Sequence, residues 1–424
     1  MIEDSARQSK IRNKKTYKSS SKFSSRHLKS QKSIQMQYLL INYYLPIMIY
    51  LLYLNVMTYP RYTPLIENLP SSVPFVGPES QEREKNFLFE ARLGANENMF
   101  GPSPKALSAL KKYSDEQWMY GDPTSFELRC ALAKKHKVSS DNIVVGEGID
   151  GLLGYLVRLL ISVGDNVVTS DGAYPTFNYH VTGFGGNLHK VPYSEDHEDI
   201  DSLIKQAQLV DAKLIYFANP DNPMGTHVSG IKICQALEDL PKGCLFILDE
   251  AYSEFAPASS LPDIEISDTR VIRLRTFSKA YGMAGARVGY GMAEESLIKS
   301  FEKIRNHFGM NRGAQKAALE ALSDNQWLSE MLKKVENGRQ RIYVIAENNN
   351  LKSIPSSTNF VAIDCGKDGR FAKKVLQELI SLGIFVRMPF VTPQDRCIRV
   401  SVGEDADLDK FEKALPIALE RASK

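Results

Sequence analysis

Metal-ligand patterns are missing from this chain. Its 424 residues include only five cysteines (Cys130, Cys234, Cys244, Cys365 and Cys397) and seven histidines. The cysteines are scattered, no CxxC pair occurs, and none sits in a histidine cluster. This argues against a structural metal site and for reduced thiols in a cytoplasmic setting. A strongly charged body is missing as well. The net charge is +3, but residues 1–37 hold ten Lys/Arg against two acids, leaving 43 basic and 48 acidic residues elsewhere. The body is therefore slightly acidic, and nucleic acid is not its partner. Internal repeats and low-complexity tracts are also absent from the body.

What remains is an ordinary globular composition, 43% hydrophobic and 24% charged, long enough for one large core and one smaller. One apolar run stands out. Tyr38 to Val56 follows the basic tract, with Asn42, Pro46 and Asn55 as interruptions. A basic flank before such a run could be a signal anchor; a cleavable signal peptide fits less well, since no small-residue cleavage site follows. The composition breaks at Met57, so residues 1–57 read as an extension outside the catalytic fold. It is an over-extended start or a disordered appendage rather than an anchor, with a processed targeting segment as a further alternative. Membrane association is expected only if residues 38–56 are a real anchor.

Past the break, the Pro-rich stretch Pro60 to Pro78 reads as an extended arm. Residues 58–118 are read as this arm plus part of a small domain, 119–310 as a large domain, and 311–424 as a small C-terminal domain. Helical patterns at Pro104 to Tyr113 and Ser125 to His136 precede apolar runs at Ile143 to Val145, Val167 to Ser170, Leu214 to Ala218, Leu245 to Leu248 and Val271 to Leu274. Such runs alternating with helices predict an α/β fold, a mainly parallel sheet with helices on both faces. Lys299 to Phe308 reads as a long helix leading out. Strands at Asn359 to Ile363, Ile384 to Arg387 and Ile398 to Val402 then predict a smaller α/β layer.

Four segments carry chemistry. TFSKAYGMAGARVGY (Thr276 to Tyr290) places a lysine after a strand and an arginine eight residues later among small residues. Lysine forms Schiff bases with carbonyl cofactors, and small residues allow close approach. LFILDEAY (Leu245 to Tyr252) is a buried-strand pattern ending in a carboxylate, and NPDNPMG (Asn219 to Gly225) precedes it. GEGID (Gly146 to Asp150) opens an apolar helical run, so its amides would lie at a helix N-terminus, where anions bind.

In this order and spacing, from about Leu93 to Val402, the chain resembles the fold-type I aminotransferases dependent on pyridoxal phosphate (PLP). The resemblance implies that Lys279 carries the cofactor and moves the proton, and that Asp249 holds the proton on the pyridine nitrogen. Tyr252 and Asn222 would face the ring oxygen, and Phe177 would stack on the ring. The amides of Ile149 and Asp150, with Thr276, Ser278 and Arg287, would hold the phosphate. Tyr120, in WMYGDP, matches a tyrosine reaching across a homodimer to the neighbour's phosphate.

LGANENMFGPSPKAL (Leu93 to Leu107), DEAYSEF (Asp249 to Phe255), FVRMP (Phe385 to Pro389) and IRVSVG (Ile398 to Gly403) extend the resemblance to histidinol-phosphate aminotransferases. It implies substrate contacts at Asn96, Arg387 and Arg399, and exchange between glutamate and histidinol phosphate or a related acceptor. Ile149 and Gly151 depart from the family's Ser-Asp-Glu, and Met224 from its threonine. Other readings are an aromatic or other amino-acid aminotransferase and a threonine-phosphate decarboxylase-like enzyme. The sensor domain of a transcription regulator would need an N-terminal helix–turn–helix, and the basic tract has no such pattern.

Overall fold

The computed structural model describes residues 34–58, 60–71 and 76–424. The chain divides into two units, residues 1–69 and 70–424. In the first, helical turns from Ile34 pass through the π-helix Leu40–Tyr44 into the helix Leu45–Thr58. The described side chains from Ile34 to Leu52 are exposed. Among the described residues no helix is long and apolar enough to cross a membrane. The basic tract up to residue 33 lies outside the described residues. The Pro-rich stretch is not wholly extended. The Thr63 hydroxyl accepts the Ile66 N–H, and Pro64 pre-sets the first turn, so Pro64–Glu67 coil into a short helix.

The second unit is built on a seven-stranded sheet. In chain order its strands are β2 (Ile143–Gly146), β3 (Asn166–Ser170), β4 (Asn187–Val191), β5 (Leu214–Ala218), β6 (Leu245–Asp249), β7 (Val271–Thr276) and β8 (Gly289–Met292), with β1 (Ala91–Arg92) before them. The spatial order is β2-β8-β7-β6-β5-β3-β4, and β8 alone runs against the rest. The expected mainly parallel sheet is thus present. Alternation splits the buried runs between two cores. Leu214, Tyr216, Leu245 and Ile247 face one side with the helix Gly148–Leu160. Ile215, Phe217, Phe246 and Leu248 face the other, with the helices Ile200–Val210 and Gly230–Glu238. Each fully buried side chain of this size contributes roughly 1.5–3 kcal/mol relative to exposure.

The C-terminal layer holds β9 (Lys352–Ser353), β10 (Phe360–Asp364) and β12 (Cys397–Ser401) as an antiparallel sheet, while β11 (Ile384–Phe385) pairs with β1 in parallel. One helix departs from the sequence reading. Lys299 to Phe308 is not continuous, because the helix Glu295–Ser300 passes through a 3-10 turn and stops at Lys303. The Asn306 N–H donates to the Tyr155 hydroxyl instead, and Gly309 passes so close to Glu147 that a Cβ would overlap its carboxylate. A new helix starts at Arg312, capped by Asn311.

Candidate active site

The carboxyl ends of the parallel strands open into a cavity of about 920 Å³ in the second unit. Ligands bind at such strand ends in open α/β sheets. Asp249, the last residue of β6, lies on its floor and is buried. Its carboxylate accepts from the Tyr216 hydroxyl at 2.7 Å and the Ala251 N–H at 2.9 Å. Burial nevertheless pushes its pKa up to about 6. The shift shows how little positive charge the protein itself supplies to this group.

Lys279 is half-buried, and its Nζ donates to the Asn96 carbonyl at 3.0 Å. Burial first, then the charge of Arg399, depresses the amine to about 8. An amine held near neutrality is available as nucleophile and as proton carrier. Asn96 is held with φ +54°, a left-handed backbone that asparagine tolerates better than most side chains. Its Nδ2 donates to the Tyr252 hydroxyl at 3.1 Å, and its N–H donates to the Ser401 hydroxyl at 3.0 Å.

Around the Gly148 turn the site has the donor set of an anion pocket. The helix Gly148–Leu160 starts without a side-chain cap, so the first amides, those of Ile149 and Asp150 included, have no side-chain acceptor there. Gly148 has φ +81°, and a Cβ on it would come within 2.5 Å of the Arg287 guanidinium. Gly289 packs behind, where a Cβ would meet the Gly148 backbone at 2.7 Å. Arg287 donates to the Ser278 hydroxyl at 3.4 Å, and the Ser278 N–H donates to the Thr276 hydroxyl at 3.0 Å. The Asp150 carboxylate accepts from Tyr174 at 2.9 Å and lies 3.8 Å from Arg287. These amides, hydroxyls and one guanidinium fit a phosphate, and the buried acid on the floor fits a protonated ring nitrogen.

At the other end, β12 and the residues after β11 bring two arginines together. Arg387 and Arg399 form a backbone bridge, with the Arg399 N–H 2.6 Å from the Arg387 carbonyl. Arg399 donates to Asn222 Oδ1 at 2.5 Å and to the Gly94 carbonyl at 3.3 Å, while its buried Nε has no hydrogen-bond partner. Arg387 donates to the Val76 carbonyl at 3.2 Å and lies over the Phe385 ring.

Two expected residues lie elsewhere. Phe177 does not line the cavity. It is fully buried and stacks on Tyr216 with ring centroids 4.9 Å apart, while Tyr174 and Tyr216 form the aromatic wall. Phe177 lies two positions into the helix Pro175–Gly183, where the ring points to the core, whereas Tyr174 caps the start of that helix and faces the cavity. Tyr120 is 75% exposed, packs on Phe308 at 4.7 Å, and is not part of its own chain's cavity lining. Sequence reasoning missed Tyr216 and Tyr174. The signal for Tyr216 was a hydroxyl in the apolar run Leu214–Ala218, which needs a buried partner.

Residues 91–415 match the family described as aminotransferase class I and II. Histidinol-phosphate aminotransferase 2 of Carboxydothermus hydrogenoformans is 36% identical over 361 residues, spanning 84% of this chain and 98% of that protein. Histidinol-phosphate aminotransferase of Moorella thermoacetica is 33% identical over 364 residues, spanning 85% and 93%. Among solved structures, histidinol-phosphate aminotransferase from Sinorhizobium meliloti in complex with pyridoxal-5'-phosphate is 48% identical. The match covers 86% of this chain and 99% of that one, with a TM-score of 0.84. A family match over most of the second unit, on a sheet whose strand ends carry a lysine, a buried acid and an anion pocket, decides the question: the chain belongs to the class I and II aminotransferases.

Proposed function

We propose that this protein uses PLP to transfer the amino group between glutamate/2-oxoglutarate and histidinol phosphate or a closely related acceptor. The observation that carries it is the arrangement within one cavity: a depressed lysine amine, a buried aspartate beneath it, a phosphate pocket on one side and two arginines on the other. When bound, PLP supplies an electron sink for the pair released at the substrate α-carbon. Asp249 would hold the ring nitrogen, Tyr252 and Asn222 the ring oxygen, and Thr276, Ser278, Arg287 and the amides of Ile149 and Asp150 the phosphate. Lys279 Nζ moves the proton, with Asn96 setting its resting direction. Arg387 and Arg399 hold the substrate's carboxylate or phosphate, and one guanidinium geometry suits both. Phe177 stiffens the Tyr216 ring from behind, and so acts on Asp249 at one remove.

The test is purified protein with glutamate as donor and a panel of imidazole, aromatic and aliphatic acceptors. Imidazole acetol phosphate, the oxo partner of histidinol phosphate, is expected to react with the highest kcat/KM. Fastest turnover of an aromatic acceptor would move the assignment to an aromatic aminotransferase, and CO2 release without an oxo product would move it to a decarboxylase. Five free thiols accord with a reducing cytoplasm.

The active unit is proposed to be a homodimer, on the ground that Tyr120 is exposed and set apart from its own cavity. Mixing Tyr120→Phe with Lys279→Ala subunits tests this. If Tyr120 serves the neighbour, each mixed dimer has one site with both residues intact and binds PLP there with wild-type affinity. Weakened PLP affinity at the one live site would place Tyr120 in its own chain's site.

A further inference from the structure

Behind the loop that carries Asn222, Glu198 and Asp221 lie side by side, 4% and 2% exposed. The two carboxyl groups are neighbours, and each acts on the other's proton. Two neighbouring carboxyls away from water do not both ionise readily, so the pair retains one proton. Asp221 accepts from the Tyr193 hydroxyl at 2.8 Å and the Met224 N–H at 3.0 Å. Glu198 accepts from the Ser170 hydroxyl at 2.6 Å and the Ala218 N–H at 3.2 Å. Every donor around the pair is neutral, and the cation acting on Asp221 is Arg399.

Arg399 is in the converse position. It is 9% exposed and bonds two neutral oxygens, with its Nε unpartnered. The groups acting on it are the hydroxyls of Tyr252 and Tyr174, the like charge of Arg387, and Asp221. Asp221 is the one anion among them. A buried cation without an anion is costly, whereas one with a nearby counter-charge is tolerated.

We propose that the Glu198–Asp221 pair carries a single negative charge and serves as the resident counter-ion of Arg399 whenever no substrate anion is in the cavity. The inference rests on Arg399 being the substrate-anion ligand. Asp221 directly precedes Asn222, which accepts from Arg399, so the pair's charge stabilises the empty site without occupying it. It also opposes an incoming carboxylate or phosphate, which keeps product anions from binding too tightly.

The experiment uses the PLP-loaded protein and inorganic sulfate, whose charge is constant near neutrality, with calorimetric titration and thermal melting. Glu198→Gln and Asp221→Asn each leave one carboxylate and one donor, so each alone is expected to stay within about twofold of wild-type sulfate affinity. The double amide removes the charge while keeping the shape. Its substrate-free melting temperature should fall by roughly 5 °C, and sulfate should bind roughly tenfold more tightly. A purely structural role would lower the melting temperature without tightening sulfate, and that result overturns the proposal. So does a single amide that reproduces the whole effect.

Should the double variant not fold, the wild type still decides. Burial raises Asp221, set among Glu198, Tyr193 and Arg399, above the usual carboxylate range, so sulfate affinity should rise as pH falls below neutrality; a flat profile overturns the proposal. Sulfate binding is read without turnover. Absent amino transfer with these responses intact would sink the functional reading alone.

Discussion

Lys279→Ala protein, supplied with PLP and then reduced with borohydride, is expected to carry no covalent cofactor and to transaminate at least about a thousandfold more slowly. Positioned acid–base groups supply factors of about 10² to 10⁴, and this lysine is proposed to supply the covalent tether as well. In the wild type, only the neutral amine attacks a carbonyl. With the amine depressed to about 8, PLP uptake by cofactor-free protein should accelerate as pH rises through 8 and level off above it. Peptide mass mapping after reduction reads the tether directly. A PLP adduct on another lysine, with activity retained, would remove Lys279 from its role.

Asp249→Ala is expected to lose cofactor on gel filtration and to turn over about a hundredfold or more slowly, because Asp249 is the group proposed to hold the proton on the ring nitrogen. Its shift from 3.8 to about 6 corresponds to about 3 kcal/mol of unfavourable ionisation. The sign matters. A raised carboxyl pKa costs stability above the folded value, and the cost disappears below the unfolded one. Cofactor-free wild type should therefore gain stability as pH falls from about 6 to about 4, and the alanine variant should lack Asp249's share of that gain while keeping the share of the Glu198–Asp221 pair. Equal turnover in variant and wild type would rule out the role.

Legibility in the sequence followed chemistry more than geometry. That Lys279, Asp249, Arg287, Arg387 and Arg399 share one cavity was readable because each lies in a motif whose residue types the chemistry requires. The buried strands were readable as apolar runs. β4 was not, because Asn187–Val191 is a partly exposed edge with polar side chains. β8 was not, because Gly289–Met292 is half glycine and reads as a turn. Phe177 was misplaced because a motif gives order along the chain but not which face of a helix turns to the core. Glu198 lies outside any motif, and only folding brings it to Asp221.

The lysine's resting partner has a history in time as well as a place. Asn96 donates to Ser401, and the Gly94 carbonyl accepts from Arg399; each contact joins residues 305 positions apart. At about 5–20 residues per second of synthesis, the amino-terminal half of this arrangement waits roughly 15–60 seconds for its other half to leave the ribosome. During that interval the large sheet can close around its two cores, but β1 has no β11 to pair with and Asn96 has no Ser401 to bond. The nascent chain therefore emerges with its large sheet, Asp249 and Lys279 ahead of Arg387, Arg399 and Ser401, and the last fifty residues complete the cavity.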